Sequence, residues 1–183
     1  MRAGGGIEST GAAAVNTLAN TNLDMNGTAA NPGNGGGMHV TDAGTTNITG
    51  GTVNNNTASN EGGGLWNDDG TMTIDGTTIN NNTASGPAAD NGGGGLFNDG
   101  GTLTISNATI DSNVADGAAG SGGGIFNDNG TLTVTASSIT NNTAIRAGGG
   151  IEMRDATPFN SIVAATATTT LTDVTLDLSL IHI

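Results

Sequence analysis

The side chains able to do chemistry are few. Three arginines (Arg2, Arg146 and Arg154), two histidines and sixteen Asp or Glu residues are the strongly titratable groups of this 183-residue chain. It has no lysine, tyrosine or cysteine, so thiol nucleophiles, thiolate metal ligands and disulfides are excluded together. No Ser, His and Asp fall at a spacing that suggests a triad. Arg146 and Arg154 do lie close in sequence to Glu152 and Asp155. An arginine base among carboxylates, completed by calcium, is what a polysaccharide lyase uses, and paired carboxylates are what a hydrolase uses. A loop adjoins this group: Ile151 and Leu171 are 20 residues apart, where the equivalent Ile125 and Val134 are 9 apart. The insertion contains Pro158 and Phe159. A salt-bridged loop base explains the same residues, and no catalytic residue is assigned.

A second acidic group is Asp68, Asp99 and Asp128, with Asp69 adjacent. Carboxylates at a repeated position repel unless they are solvated, protonated or bridged by a hard cation such as Ca²⁺. Calcium β-rolls carry Gly-Gly-x-Gly-x-Asp nonapeptides, which this chain lacks. Solvated corner aspartates are therefore the working reading, and no cofactor or metal is assigned, with Ca²⁺ the one ion left open.

What positions these groups is a repeat. Gly-Gly-Gly followed by Ile, Leu or Met occurs six times, with third glycines Gly6, Gly37, Gly64, Gly95, Gly124 and Gly150 at intervals of 31, 27, 31, 29 and 26 residues. Apolar residues recur at fixed offsets: Ile125, Leu132, Val134, Ile139 and Ala144 repeat Leu96, Leu103, Ile105, Ile110 and Ala115, and before them Leu65, Met72, Ile74, Ile79 and Ala84. Alternation such as Thr-Leu-Thr-Val has period two, a strand signature, and no 3.6-residue stripe is sustained. Asn-Asp-x-Gly at Asn67–Gly70, Asn98–Gly101 and Asn127–Gly130 supplies corners that tolerate positive φ. A single unit cannot close a core, but stacked units can, with aliphatics in columns and the backbone paired unit to unit. The pattern predicts an all-β, right-handed parallel β-helix of about six coils, each with three short strands; the handedness follows the rule for parallel crossovers. Residues 1–178 read as one array, an excerpt of a longer one, because Arg2–Glu8 repeats Arg146–Glu152. After Asp177 the register is expected to be lost, and residues 179–183 read as a non-native tail.

Alternation also assigns the outward columns. Thr71 and Thr73, Thr102 and Thr104, and Thr131 and Thr133 flank an inward Met or Leu, with Thr168 and Thr170 continuing the series. They form a grid of about 6.6 Å along the strand and about 4.8 Å between coils. Asn47 interrupts one column, and Val15 and Thr17 hold the first coil. This array resembles the ice-binding face of β-solenoid antifreeze proteins; β-branched residues on an exposed sheet account for it as well. A second column, Glu8, His39, Trp66, Phe97, Phe126 and Glu152, also faces outward. Its aromatics Trp66, Phe97 and Phe126 either form a contact face for sugars or a partner, or lie beneath the loops of variable length. Asn56, Asn82, Asn113 and Asn142 share one offset and suit a stacked amide ladder. Asn-x-Thr at Asn55, Asn81 and Asn141 also spells glycosylation acceptors, a pattern that arises freely in such text.

The formal charge of −13, with 10% charged residues, argues against nucleic acid as a partner, because nothing neutralises phosphates. No apolar run is long enough to span a membrane.

The Gly-Gly-Gly-aliphatic motif, with Val53-Asn-Asn-Asn56, Ile79-Asn-Asn-Asn82, Ile110-Asp-Ser-Asn113 and Ile139-Thr-Asn-Asn142, resembles the Gly-Gly-Ala-aliphatic and Phe-x-x-Asn motifs of bacterial polymorphic outer-membrane protein repeats and related right-handed β-helix surface proteins. The likeness covers roughly 35–144; Ile or Val stands for Phe, and Gly for Ala. It implies an exported, adhesin-like or passenger surface protein. Taken with the residue inventory and the outward columns, the expected role is a non-catalytic cell-surface or secreted adhesin-like segment or stalk, with a host or environmental surface, a glycan or ice as the partner. An ice-binding module is the alternative, and a polysaccharide lyase or hydrolase the third.

Overall fold

The computed structural model describes residues 4–28, 33–89, 91–155, 167–177 and 179–181. Among them there is no helix, only strands in four parallel six-stranded sheets. The first sheet stacks Ile7–Ser9, Met38–Val40, Leu65–Asn67, Leu96–Asp99, Ile125–Asp128 and Ile151–Arg154. The second stacks Val15–Ala19, Thr45–Thr49, Thr71–Asp75, Thr102–Ser106, Thr131–Thr135 and Thr168–Thr172. Every strand pairs with its equivalent one repeat away, never with its neighbour in sequence, which defines a parallel β-solenoid. The register runs Ile7 to Met38, Leu65, Leu96, Ile125 and Ile151, so the glycine spacing sets the coil length.

The third sheet stacks Asn22–Asp24, Thr52–Asn54, Thr78–Asn80, Thr109–Asp111, Ser138–Thr140 and Thr175–Asp177. The expected three strands per coil are joined by a fourth of two residues, in the ladder Gly27–Thr28, Thr57–Ala58, Thr83–Ala84, Val114–Ala115, Thr143–Ala144 and Leu180–Ile181. Two residues are too few to show an alternation, so this ladder left no periodic trace. It also corrects the expected loss of register: Leu180 and Ile181 pair with Thr143 and Ala144.

The inward columns merge into one dry core that includes Met38, Ile48, Leu65, Met72, Ile74, Leu103, Ile110 and Leu132. Burying each such side chain contributes about 1.5–3 kcal/mol. The glycine run is bare because the coils approach closely there. A Cβ on Gly94 would lie 2.4 Å from the carbonyl oxygen of Gly123 and 2.5 Å from that of Val114. One inward column of the second sheet, Asn16, Thr46, Met72, Leu103, Leu132 and Thr169, is apolar at its centre and polar towards both ends.

Candidate functional site

The second sheet carries the broad outward face. Its first column is Val15, Thr45, Thr71, Thr102, Thr131 and Thr168, and its second is Thr17, Asn47, Thr73, Thr104, Thr133 and Thr170, each residue directly opposite the next. Thr71, Thr102 and Thr131 are exposed; Thr73, Thr104 and Thr133 are half-buried by their neighbours. The Thr-x-Thr pairs therefore share one sheet surface. No residue in these two columns is charged, although the chain carries −13. Asp75 lies in the adjoining third column, between Thr49 and Ser106. Hydrogen bonds from Ser106 Oγ and Asn107 Nδ2, both 2.7 Å, hold its carboxyl below the usual range.

The interior polar residues are committed to the stack. Asn56 Nδ2 donates to Asn82 Oδ1 at 2.9 Å, Asn82 to Asn113 at 2.9 Å, and Asn113 to Asn142 at 3.0 Å. Each of these oxygens also accepts the backbone N–H of the asparagine one coil back, and the amide nitrogens donate to Leu23, Val53, Ile79 and Ile110 carbonyls. Asn26 starts the series, donating to Asn56 at 3.0 Å, a member beyond the four that the sequence pattern predicts. A second ladder, absent from the sequence expectation, runs through the corners. Asn67 Nδ2 donates to Asn98 Oδ1 and Asn98 to Asn127, both at 2.8 Å, while the same nitrogens bind the carbonyls of Gly70 and Gly101. Corner chemistry alone accounts for these asparagines in the sequence, and their identical spacing is the signal that a ladder runs through them.

The aromatic column lies on the outer side of the first sheet but is covered. Trp66, Phe97 and Phe126 are 6%, 2% and 0% exposed and form a second apolar cluster, so they present no open contact face. Trp66 stacks on His39 with centroids 4.4 Å apart, and Phe97 meets Phe126 edge-on at 5.0 Å. Glu61 ties down this covering layer by accepting Trp66 Nε1 at 3.1 Å and Asn91 Nδ2 at 2.6 Å. His39 Nδ1 lies 3.1 Å from Glu8; burial lowers its pKa, and Glu8 partly offsets that.

Asp99 stands directly over Asp128. Burial, then Asp128, Asp68 and Asp69, push the Asp99 carboxyl up to about 6, while Arg154 pulls the other way. Among the described residues no group of three or more His, Asp or Glu is arranged to hold a metal ion. Arg154 is engaged by Asp128, with Nε 2.9 Å from Oδ1 and a second contact through its terminal nitrogen, and its guanidinium sits 5.8 Å from the Phe126 centroid. Arg146 donates to the Ala89 carbonyl at 3.1 Å and lies 3.7 Å from Glu152. Both arginines of the suggested lyase corner thus make contacts that hold the stack and its covering loops. The insertion with Pro158 and Phe159 lies outside the described residues. Among the described residues no helix is long and apolar enough to cross a membrane. No family model matches the chain, and the searches of curated proteins and of solved structures find no significant match.

Proposed function

We propose that this chain is a non-catalytic segment of an exported β-solenoid, acting as a rigid stalk whose second sheet is its contact surface. The carrying observation is the pair of uncharged columns containing Thr71, Thr102, Thr131, Thr73, Thr104 and Thr133, held in register on one surface of an acidic chain. Two asparagine ladders and the glycine contacts support the rigidity, because each fixes one coil directly on the next. The resemblance to polymorphic outer-membrane protein repeats supports export to a cell surface. Its glycine and asparagine motifs are also residues that close stacking demands, so adhesion rests on the exposed face. The test is adsorption of the purified chain to insoluble neutral and acidic polysaccharides and to intact cells. Thr104→Lys and Thr133→Lys should abolish adsorption, and adsorption that survives both removes the contact role.

A second reading is ice binding, favoured by the same columns because a regular uncharged hydroxyl-and-methyl surface suits ordered water. Thermal hysteresis lost in Thr104→Lys supports it; a parent protein with no hysteresis removes it.

A further inference from the structure

We propose that the corner carboxylates gate which polymers the threonine face takes: at neutral pH a column of aspartates beside the strip keeps a polyanionic polysaccharide off, and mild acid lets it on. The inference rests on the contact role proposed above and concerns its regulation.

The corner leads straight into the strip. Asp68, Asp99 and Asp128 each stand three residues before the first threonine column, at Thr71, Thr102 and Thr131. At the rise of an extended chain, each lies within about 10 Å of its threonine. These residues belong to the middle coils, with a described coil on either side of them.

The register sets like charges one above another. Asp99 pairs directly with Asp128, and the pairing of Asn98 with Asn67 brings Asp68 to its other side. Arg154 answers Asp128, through Nε at 2.9 Å and again through a terminal nitrogen. Asp99 is left half-buried between two carboxylates, and both circumstances favour its neutral form. Its carboxyl is pushed up to about 6, by burial first and then by Asp128, Asp68 and Asp69, with Arg154 pulling the other way. Asp99 is therefore charged at neutral pH and uncharged in mild acid. The opposite margin does not follow it. Hydrogen bonds from Ser106 and Asn107 hold Asp75 below the usual range, so its charge stays. His39, which interacts with Asp68 and Glu8, is lowered by burial; a proton gained there acts in the same direction as one on Asp99, and Asp99→Asn separates the two.

Threonine hydroxyls donate to and accept from the hydroxyls of a polysaccharide, charged or not. What separates a neutral polymer from its sulfated form is the margin. One like-charged pair about 10 Å apart in water weakens binding about twofold at low salt, and a polyanion brings several charges to the column.

The test uses the insoluble neutral polysaccharide that best retains the parent chain, and the same polymer bearing sulfate esters, which stay charged throughout. On the neutral polymer, adsorption should be alike at about pH 5 and about pH 7. On the sulfated polymer it should be about three- to fivefold stronger at the lower pH, and about 0.5 M salt should erase the difference. Asp99→Asn, with the circular dichroism spectrum of the parent, should bind the sulfated polymer at neutral pH nearly as the parent does in acid. Asp68→Asn, which removes a neighbouring charge instead, should raise that neutral-pH adsorption about twofold. Parent adsorption to the sulfated polymer that ignores pH, a difference that survives salt, or an Asp99→Asn protein with the full pH dependence would each overturn the gate and leave the contact role standing. A parent retained by no polysaccharide overturns the gate, and if cells do not retain it either, the contact role falls with it.

Discussion

Replacing Asn113 with alanine tests whether the amide ladder holds the coils together. Its Oδ1 accepts Asn82 N–H at 3.0 Å and Asn82 Nδ2–H at 2.9 Å, and its Nδ2 donates to the Ile79 carbonyl at 3.0 Å. Asn113→Ala therefore orphans two donors and one acceptor in a fully buried place. Asn142 Oδ1 keeps the backbone N–H of residue 113 at 2.9 Å. An orphaned buried group costs about 1–3 kcal/mol, and partial relaxation brings the sum to about 3–5 kcal/mol. Domains of this kind have only about 5–15 kcal/mol in total, so the change is large. Urea unfolding followed by far-ultraviolet circular dichroism should show the midpoint fall with little change in slope. Thr104→Ala, on the outer face, should stay within about 0.5 kcal/mol. Asn113→Asp sharpens the test. Its carboxylate keeps an acceptor for Asn82 but sets an oxygen against Asn142 Oδ1. Burial raises the pKa of such a group, so the variant should be weakest at neutral pH and regain stability on acidification, when the protonated oxygen can donate. A loss under about 1 kcal/mol for Asn113→Ala, or an Asp variant indifferent to pH, would refute the ladder's role.

Asp99 predicts a pH dependence of the parent. The folded state holds its proton up to about pH 6, more tightly than the unfolded chain, so its contribution is complete below about pH 4 and lost as pH rises through 6. Discounted for solvent screening, the loss is about 1–2 kcal/mol, and Asp99→Asn should flatten that part of a stability–pH curve. Gly94→Ala places a methyl group against two fixed carbonyls and should lower the unfolding free energy measured in urea by about 2–3 kcal/mol. Phe126→Ala empties a fully buried site and should cost about 3–5 kcal/mol in the same assay. The single tryptophan, Trp66, should emit at short wavelength and resist acrylamide quenching. Glu61→Ala, which removes the acceptor for Trp66 Nε1 and Asn91 Nδ2, should make it quenchable.

The core was legible because an inward position in a stacked coil admits little but an aliphatic side chain. Leu65, Leu96 and Ile125 align in the structure at the spacing their glycines gave. The two-residue strands were not legible: Thr83–Ala84 is too short for alternation to distinguish it from a loop. Asn67, Asn98 and Asn127 were hidden by a sufficient local explanation, since a corner favours asparagine even when no ladder runs through it. For Trp66, Phe97 and Phe126, alternation gives the side of the sheet but not what other chain lies over that side. The covering layer depends on single long-range contacts such as Asn91 to Glu61, which no period encodes.

Glycine at Gly94 and amide at Asn113 are dictated by the approach of one coil to the next, so any protein wound this tightly must solve the same problem in much the same way. Such residues speak for the winding rather than for its purpose. The information about purpose lies where stacking has no vote, in the outward columns. A strand there would accept valine, isoleucine or tyrosine as readily as threonine, and an acidic chain would by default scatter carboxylates among them. Instead Thr45, Thr71, Thr102, Thr131 and Thr168 follow one another without a charge. The carboxylates stand to either side, at Asp75 and at the Asp68, Asp99 and Asp128 corner. On the proposed contact role, a neutral strip between acidic margins would suit a flat uncharged partner better than an anionic one, and the lysine substitutions at Thr104 and Thr133 are placed to spoil that selectivity.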